Sequence, residues 1–410
     1  MLWNRRAFLK GGALALMSFG WGGTPLFLTR AVGAEATGRR RVLVNIFQRG
    51  AIDGLMAVQP LEDASLRALR PQLLLPAKGE GALIPLDGRF GLHPAFKPLA
   101  PLFTEKRLAV IHGVGSPDTT RSHFDAQDYM ESGTPGRKST ASGWLNRAAG
   151  MLGHEATPFR AVAMTDALPK SLYGQEPSLA ISSLDEFHLK AGGGAADSSL
   201  EALYAQAGQA SLKRRGNEAF EAMELLSAKR YQDYRPAAGA VYPNSPLGRS
   251  LRQIAFLIKN DVGLEVAFAE SNGWDTHRGQ GKERGLFAQR AGDLAQAIAA
   301  FWKDLGSRQS DVVVMTMTEF GRTVAQNGSG GTDHGRASCM FVLGDDVKGA
   351  TVTGRFGSLE RDALEDGRDL PVTTDFRAAF AGVASQHLGV KDVSKLFPGW
   401  TGQNLSLLRA

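Results

Sequence analysis

A chain of 410 residues with 47 Lys and Arg against 41 Asp and Glu carries a formal charge of +6, yet Arg5, Arg6, Lys10 and Arg30 fall within the first 34 residues, which hold no acid. Setting that segment aside leaves +2, and with no aromatic residues interleaved among basic ones the balance argues against a nucleic-acid partner, Arg39-Arg40-Arg41 reading as a solvated chain end. The single cysteine, Cys339, excludes an internal disulfide, so stability has to come from a core, which a chain of this length buries as one large α/β domain or a domain with an insertion.

The chain opens with Arg5-Arg6-Ala7-Phe8-Leu9-Lys10, then an apolar run from Gly11 to Leu28, then Val32-Gly33-Ala34 with small residues where a signal peptidase reads. This is the pattern of a twin-arginine signal peptide over residues 1–34, with the twin-arginine translocase as partner during export and the periplasm or cell exterior as destination. Gly20, Gly22, Gly23 and Pro25 interrupt the run and Arg30 ends it, so no stable membrane span is expected after cleavage. That route carries folded proteins, often with a cofactor inserted, which points toward a metal.

Beyond residue 34, short apolar runs at 41–47, 108–112, 161–164, 264–269, 312–317 and 340–343 alternate with helical patterns, predicting βαβ units and a parallel sheet covered on both faces. The clearest helix spans 285–305, where Phe287, Leu294, Ile298, Phe301 and Leu305 form one stripe. From about 183 to 260 the pattern turns helical with little strand, which reads as a helical insertion or cap. Cys339 falls in a strand and reads as a small buried hydrophobe.

Three strand-to-loop junctions carry ligand chemistry. Asp53, in Arg49-Gly50-Ala51-Ile52-Asp53-Gly54, suits either a metal ligand or a helix cap. Asp275 and His277 stand two apart, so on an extended segment both reach one centre, with Trp274 as a pocket wall. Asp333 and His334, in Gly331-Thr332-Asp333-His334-Gly335, join a carboxylate and an imidazole after a buried strand. Glu319, at the end of that strand, fits a ligand, an outer support, a general base or a partner of Arg322. Thr119 to Asp128 opens a helix in which Ser122 is either a nucleophile at the positive helix end or an ordinary cap; Arg121 suits charge neutralisation and His123 a ligand or an acid. His93 and His387 read as hydrogen-bonded structural histidines, and His112 fits either role.

With these residues in place, nearly the whole chain resembles the twin-arginine-exported bacterial family catalogued as domain of unknown function fifteen-oh-one, a relative of the alkaline phosphatase and sulfatase superfamily. The resemblance rests on Arg49 to Leu55, Phe90-Gly91-Leu92-His93-Pro94, Arg121 to Asp128, Gly273 to His277, Glu319-Phe320-Gly321-Arg322 and Gly331 to Gly335. It implies an alkaline-phosphatase-like three-layer sandwich over residues 35–410, a mostly parallel sheet with helices on both faces and the helical insertion at 183–260. It also implies one or two divalent metals, Zn or Mn ahead of Mg or Ca, at the strand ends, Asp53 as the first-strand metal aspartate, and Ser122 at the nucleophile's place. Glu319-Phe320 stands where the superfamily has Asp-His, and no Cys-x-Pro-x-Arg segment occurs, which disfavours a formylglycine sulfatase.

The expected function is an exported metal-dependent hydrolase of phosphate or sulfate esters, its partner an anionic ester or an envelope component. Ser122, His123 and Arg121 are the catalytic candidates, and Asp53, Asp275, His277, Glu319, Asp333 and His334 the metal candidates. The alternative is a non-catalytic periplasmic binding protein that retains the fold. Absence of thiolate clusters and haem motifs disfavours electron transfer.

Overall fold

A computed structural model describes residues 16–17, 40–154, 156–185 and 231–409. Its centre is a mixed sheet built from β1 (Val42–Arg49), β2 (Leu108–Gly115), β3 (Ala161–Ala163), β4 (Leu179–Ala180), β5 (Val266–Asn272), β6 (Val312–Met317), β7 (Ser338–Leu343), β8 (Thr351–Thr353) and β9 (Thr374–Asp375). The spatial order is β4-β3-β5-β1-β6-β7-β2-β8, with β9 also pairing β2. Leu16–Met17 pairs antiparallel with β4 at the outer edge; the rest of the predicted signal peptide lies outside the described residues.

Alternating side chains on the strands feed two separate cores. Val42, Val44 and Ile46 of β1, with Val312 and Val314 of β6, meet Ile254 and Leu257 of α4 (Pro246–Lys259) and Leu294, Ile298 and Phe301 of α5 (Leu286–Leu305). Leu43 and Phe47, with Val313 and Met315, meet Trp144 of α3 (Trp144–Gly150) and Phe376 and Phe380 of α6 (Phe376–Gln386). Continuous apolar strands are what a sheet buried on both faces requires, and the result is three layers, helix on sheet on helix.

All six expected strands are present, and the 285–305 stripe forms α5. One strand departs from the expected βαβ pattern: β7 runs antiparallel to both β6 and β2. Residues 318–337 join β6 to β7 without a helix, so no crossover reverses the chain and β7 returns beside the strand it left. Of the expected helical insertion, residues 186–230 lie outside the described residues, whereas α4 buries Leu247, Leu251, Ile254 and Leu257 as part of a layer. Among the described residues, no helix is long and apolar enough to cross a membrane.

His112, buried on β2, donates from Nε2 to the Val58 carbonyl at 2.9 Å and accepts the Gly113 N–H on Nδ1 at 3.0 Å, so its ring is neutral and fully paired. Burial pulls its pKa down to about 4. In the unfolded chain the ring titrates near ~6.5, so between there and about 4 only the unfolded state takes up the proton. The stabilisation is complete above the upper value and is lost as pH falls. His112→Gln is therefore expected to shrink the stability difference between pH 7 and pH 5 by about 2 kcal/mol in reversible urea unfolding. An identical difference in both proteins would refute this account of the ring.

Candidate metal centre

Three parallel neighbours, β5, β1 and β6, point their carboxyl ends to the same side of the sheet, where loops at sheet ends gather ligands. Close approach of those loops depends on glycine. At Gly50 (φ 109°) an added Cβ would lie 2.6 Å from the Asp275 nitrogen, so the β1 and β5 loops touch backbone to backbone. At Gly331 a Cβ would lie 2.3 Å from the Thr276 oxygen, which brings the β6–β7 connection against the β5 loop. That connection folds on itself through a bridge between Arg322 and His334, with the Thr323 N–H donating to the Asp333 carbonyl at 2.9 Å. The first turn of α2 (His123–Ser132) supplies the fourth side.

Four of the expected residues converge. His123 Nε2 and His277 Nε2 lie 3.0 and 2.9 Å from His334 Nε2. Asp275 Oδ1 lies 3.0 Å from His277 Nε2, 3.3 Å from His334 Nε2 and 3.6 Å from His123 Nε2. His123, Asp275 and His334 form a set whose donor atoms all lie within 4.8 Å of one another, and His277 joins it through His334 and Asp275.

The outer contacts fix what those atoms offer. His334 Nδ1 lies 2.9 Å from the Arg121 carbonyl, which only accepts, so the proton sits on Nδ1 and the Nε2 lone pair faces the centre. His123 Nδ1 is backed by Glu319 Oε1 at 2.8 Å and His277 Nδ1 by Asp333 Oδ1 at 2.9 Å. Carboxylate or carbonyl backing of Nδ1 is how metal-binding imidazoles are oriented. With the rings neutral and protonated at Nδ1, the Nε2 lone pairs 2.9–3.0 Å apart repel unless a proton or a metal ion lies between them. Ligands bonded at about 2.0–2.1 Å to one ion stand roughly 2.9 Å apart at right angles and about 3.4 Å apart in a tetrahedron, which covers most of these spacings. The donor set therefore fits a divalent ion.

Glu319 and Asp333 support the rings from outside. Glu319 is fully buried and receives the Gly50 N–H at 2.8 Å, Gln127 Nε2 at 2.9 Å and the Thr318 hydroxyl at 3.1 Å as well as His123. Burial alone would raise its pKa; the hydrogen bonds from His123, Gln127 and Gly50 outweigh that and hold it below the ordinary carboxylate value. Its bond in turn raises the pKa of His123. Phe320 packs against His123 at 4.9 Å and His334 at 5.0 Å, an apolar wall on that side. Asp275 is held by Arg322, whose buried guanidinium also donates to the carbonyls of Gly50 at 2.6 Å, Ala51 at 2.8 Å, Trp274 at 3.0 Å and Thr332 at 3.1 Å. One guanidinium thus pins all three loops.

Asp53 stands apart from this set. It caps α1 (Gly54–Ala57) through the Met56 N–H at 3.1 Å, pairs with Arg70 at 2.8 Å and receives Gln280 Nε2 at 2.7 Å. The guanidinium of Arg121 pairs with Asp366 at 2.9 Å and Asp369 at 2.5 Å, so Arg121 meets the centre through its carbonyl. Ser122 precedes α2 at the cap position, exposed, with no side-chain cap bond. Gln127 was not among the residues expected from the sequence, although it lies four residues after His123 and hence on the same helix face; of the readings open for Glu319, partnership with Arg322 is not the one found, since Arg322 holds Asp275.

The family described as Protein of unknown function (DUF1501) matches residues 104–395. No curated protein matches the chain. Among solved structures, it is similar to the lipoteichoic acid synthase LtaP from Listeria monocytogenes, at 9% identity and a TM-score of 0.36 over 86% of this chain and 73% of that one. The PsFucS1 sulfatase from Pseudoalteromonas sp. is similar at 11% identity and a TM-score of 0.39, over 86% of this chain and 68% of that one. The alkaline phosphatase from the Antarctic bacterium TAB5 is similar at 10% identity and a TM-score of 0.29, over 75% of this chain and 92% of that one.

Proposed function

This chain belongs to the DUF1501 family of proteins of unknown function, and on that footing we propose that it is an exported, metal-dependent hydrolase of phosphate or sulfate esters. The observation that carries the reading is the meeting of the Nε2 atoms of His123, His277 and His334 with Asp275 Oδ1, each ring backed at Nδ1. One or two divalent ions held there would supply a Lewis acid to polarise the ester and stabilise negative charge on its oxygen. Asp275 and the three imidazoles are the ligands, Glu319 and Asp333 orient His123 and His277, and Arg121 orients His334 through its carbonyl.

Ser122 is the nucleophile in this reading. Its hydroxyl is exposed and makes no hydrogen bond among the described residues, and it lies between Arg121, whose carbonyl meets His334, and the ligand His123. It also stands at the positive end of a ten-residue helix, where N–H groups and the helix dipole favour an anionic adduct. Phe320 excludes water from one side of the rings. Screening aryl phosphates and aryl sulfates with metal-loaded protein tests the reaction. Ser122→Ala is expected to keep its metal and lose at least about a hundredfold in kcat. Undiminished turnover in that variant would remove Ser122 from the mechanism, and no turnover of any ester by the metal-loaded wild type would favour the binding-protein alternative.

Residues 1–34 act in this proposal as a twin-arginine signal, delivering the folded protein to the periplasm or beyond. Replacing Arg5 and Arg6 together by Lys is expected to retain the full-length precursor in the cytoplasm. Fractionation of cells expressing either form checks it, and unimpaired export of the double variant excludes this route.

A further inference from the structure

His123, Gln127 and Glu131 recur at intervals of four along α2 and so share one face of that helix. The second and third of them tie the centre to a chain of hydrogen bonds that runs away from it. Glu131 Oε2 accepts the Ser171 N–H at 2.8 Å, and its Oε1 accepts Arg49 Nη2 at 2.9 Å. Arg49 donates from Nε to Glu270 at 2.6 Å and from Nη1 to Gln127 Oε1 at 2.9 Å. Gln127 Nε2 then donates at 2.9 Å to Glu319 Oε1, the same oxygen that backs His123 Nδ1 at 2.8 Å.

A guanidinium only donates, so the amide oxygen of Gln127 has to face Arg49 and its NH2 group has to face Glu319. Turned over, the amide would set an oxygen against the buried carboxylate and deprive Arg49 of an acceptor in the same step. Arg49 is held in turn because each of its three nitrogens meets its own acceptor, one on β5 and two on α2. Ion pairing alone does not call for this arrangement, since Arg49 has two carboxylates without Gln127 and Glu319 has the Gly50 N–H without it. The amide is what joins the two systems. We infer that Gln127, its amide held in one sense by Arg49, is a positioning residue of the metal centre: it keeps Glu319 Oε1 on His123 Nδ1 and thereby keeps His123 Nε2 turned toward the ion. The inference rests on the metal-centre reading above, and no step of ester chemistry enters it.

The test is the zinc affinity of the full chain, measured in competition with a chromogenic chelator, with melting of the metal-free proteins to check that each variant is folded. Gln127→Glu keeps an acceptor for Arg49 and takes the N–H away from Glu319; Gln127→Leu removes both. Each is expected to weaken zinc binding by about 10–100-fold. Once Glu319 is already Gln, adding Gln127→Leu should cost no more than about a further twofold, because its effect passes through that carboxylate. Glu270→Gln loosens the same guanidinium without touching the amide and should leave zinc affinity within about twofold of wild type. With cobalt in place of zinc, the visible bands, which report the donors around the ion, should move in Gln127→Glu and stay in Glu270→Gln. Folded Gln127 variants with wild-type affinity overturn the inference, as does a loss that persists in full beside Glu319→Gln or is matched by Glu270→Gln. If the wild type takes up zinc and only the Gln127 variants are silent, this inference alone falls; if the folded wild type takes up no zinc, the metal-centre reading falls with it.

Discussion

His334→Ala empties the centre. Its Nε2 is the atom nearest to both other imidazole nitrogens, at 3.0 and 2.9 Å, so removing it leaves the remaining ligands without their shared neighbour. Protein prepared without chelators should contain stoichiometric metal in the wild type and less than about a tenth of that in the variant, with ester turnover reduced by about a thousandfold or more. Glu319→Gln should do less, because it removes only the anionic backing of His123; a loss of about 10–100-fold in metal affinity is expected. A chelator should lower the melting temperature of the wild type and leave that of His334→Ala where it was, since only a protein that binds the ion is stabilised by it. Wild type that folds and carries no metal, or a His334→Ala protein with a full complement, would end the metal assignment.

Asp53→Ala is expected to destabilise the protein by about 3–5 kcal/mol, because Arg70, 1% exposed, is left as a buried charge without its partner. Replacing both members, Asp53→Leu with Arg70→Met, should recover at least half of that loss, since two well-packed apolar side chains carry no stranded charge. Metal content separates this role from the ligand role expected at the same residue. Folded Asp53→Asn protein should hold its metal, and loss of metal without loss of fold would place Asp53 among the ligands instead.

The layers were legible because burial on both faces demands long apolar runs, and β1, β5 and β6 are such runs. The sense of β7 was not, since an apolar run reads the same in either direction and only the helix-free connection at 318–337 decides it. At the centre, Asp275, His277 and His334 could be found from chemistry at strand ends. Asp53 carries the same local signature, and what distinguishes it is Arg70, seventeen residues on, whose guanidinium reaches it only once the chain has folded. Ser122 shows the converse: the pattern of a helix cap is present, but the cap bond is not formed. Glycines at Gly50 and Gly331 were readable as turns; that they let separate loops touch is a property of the tertiary structure.

His123 and His334 are separated by 211 positions in the chain and meet only when α2 and the β6–β7 connection have both been placed on the finished sheet. No fragment ending before His334 contains all four candidate ligands, so the candidate centre is complete only when most of the chain is present. On the metal-centre reading and the export route proposed here, the candidate centre would be assembled in the cytoplasm, before the protein meets the ions outside.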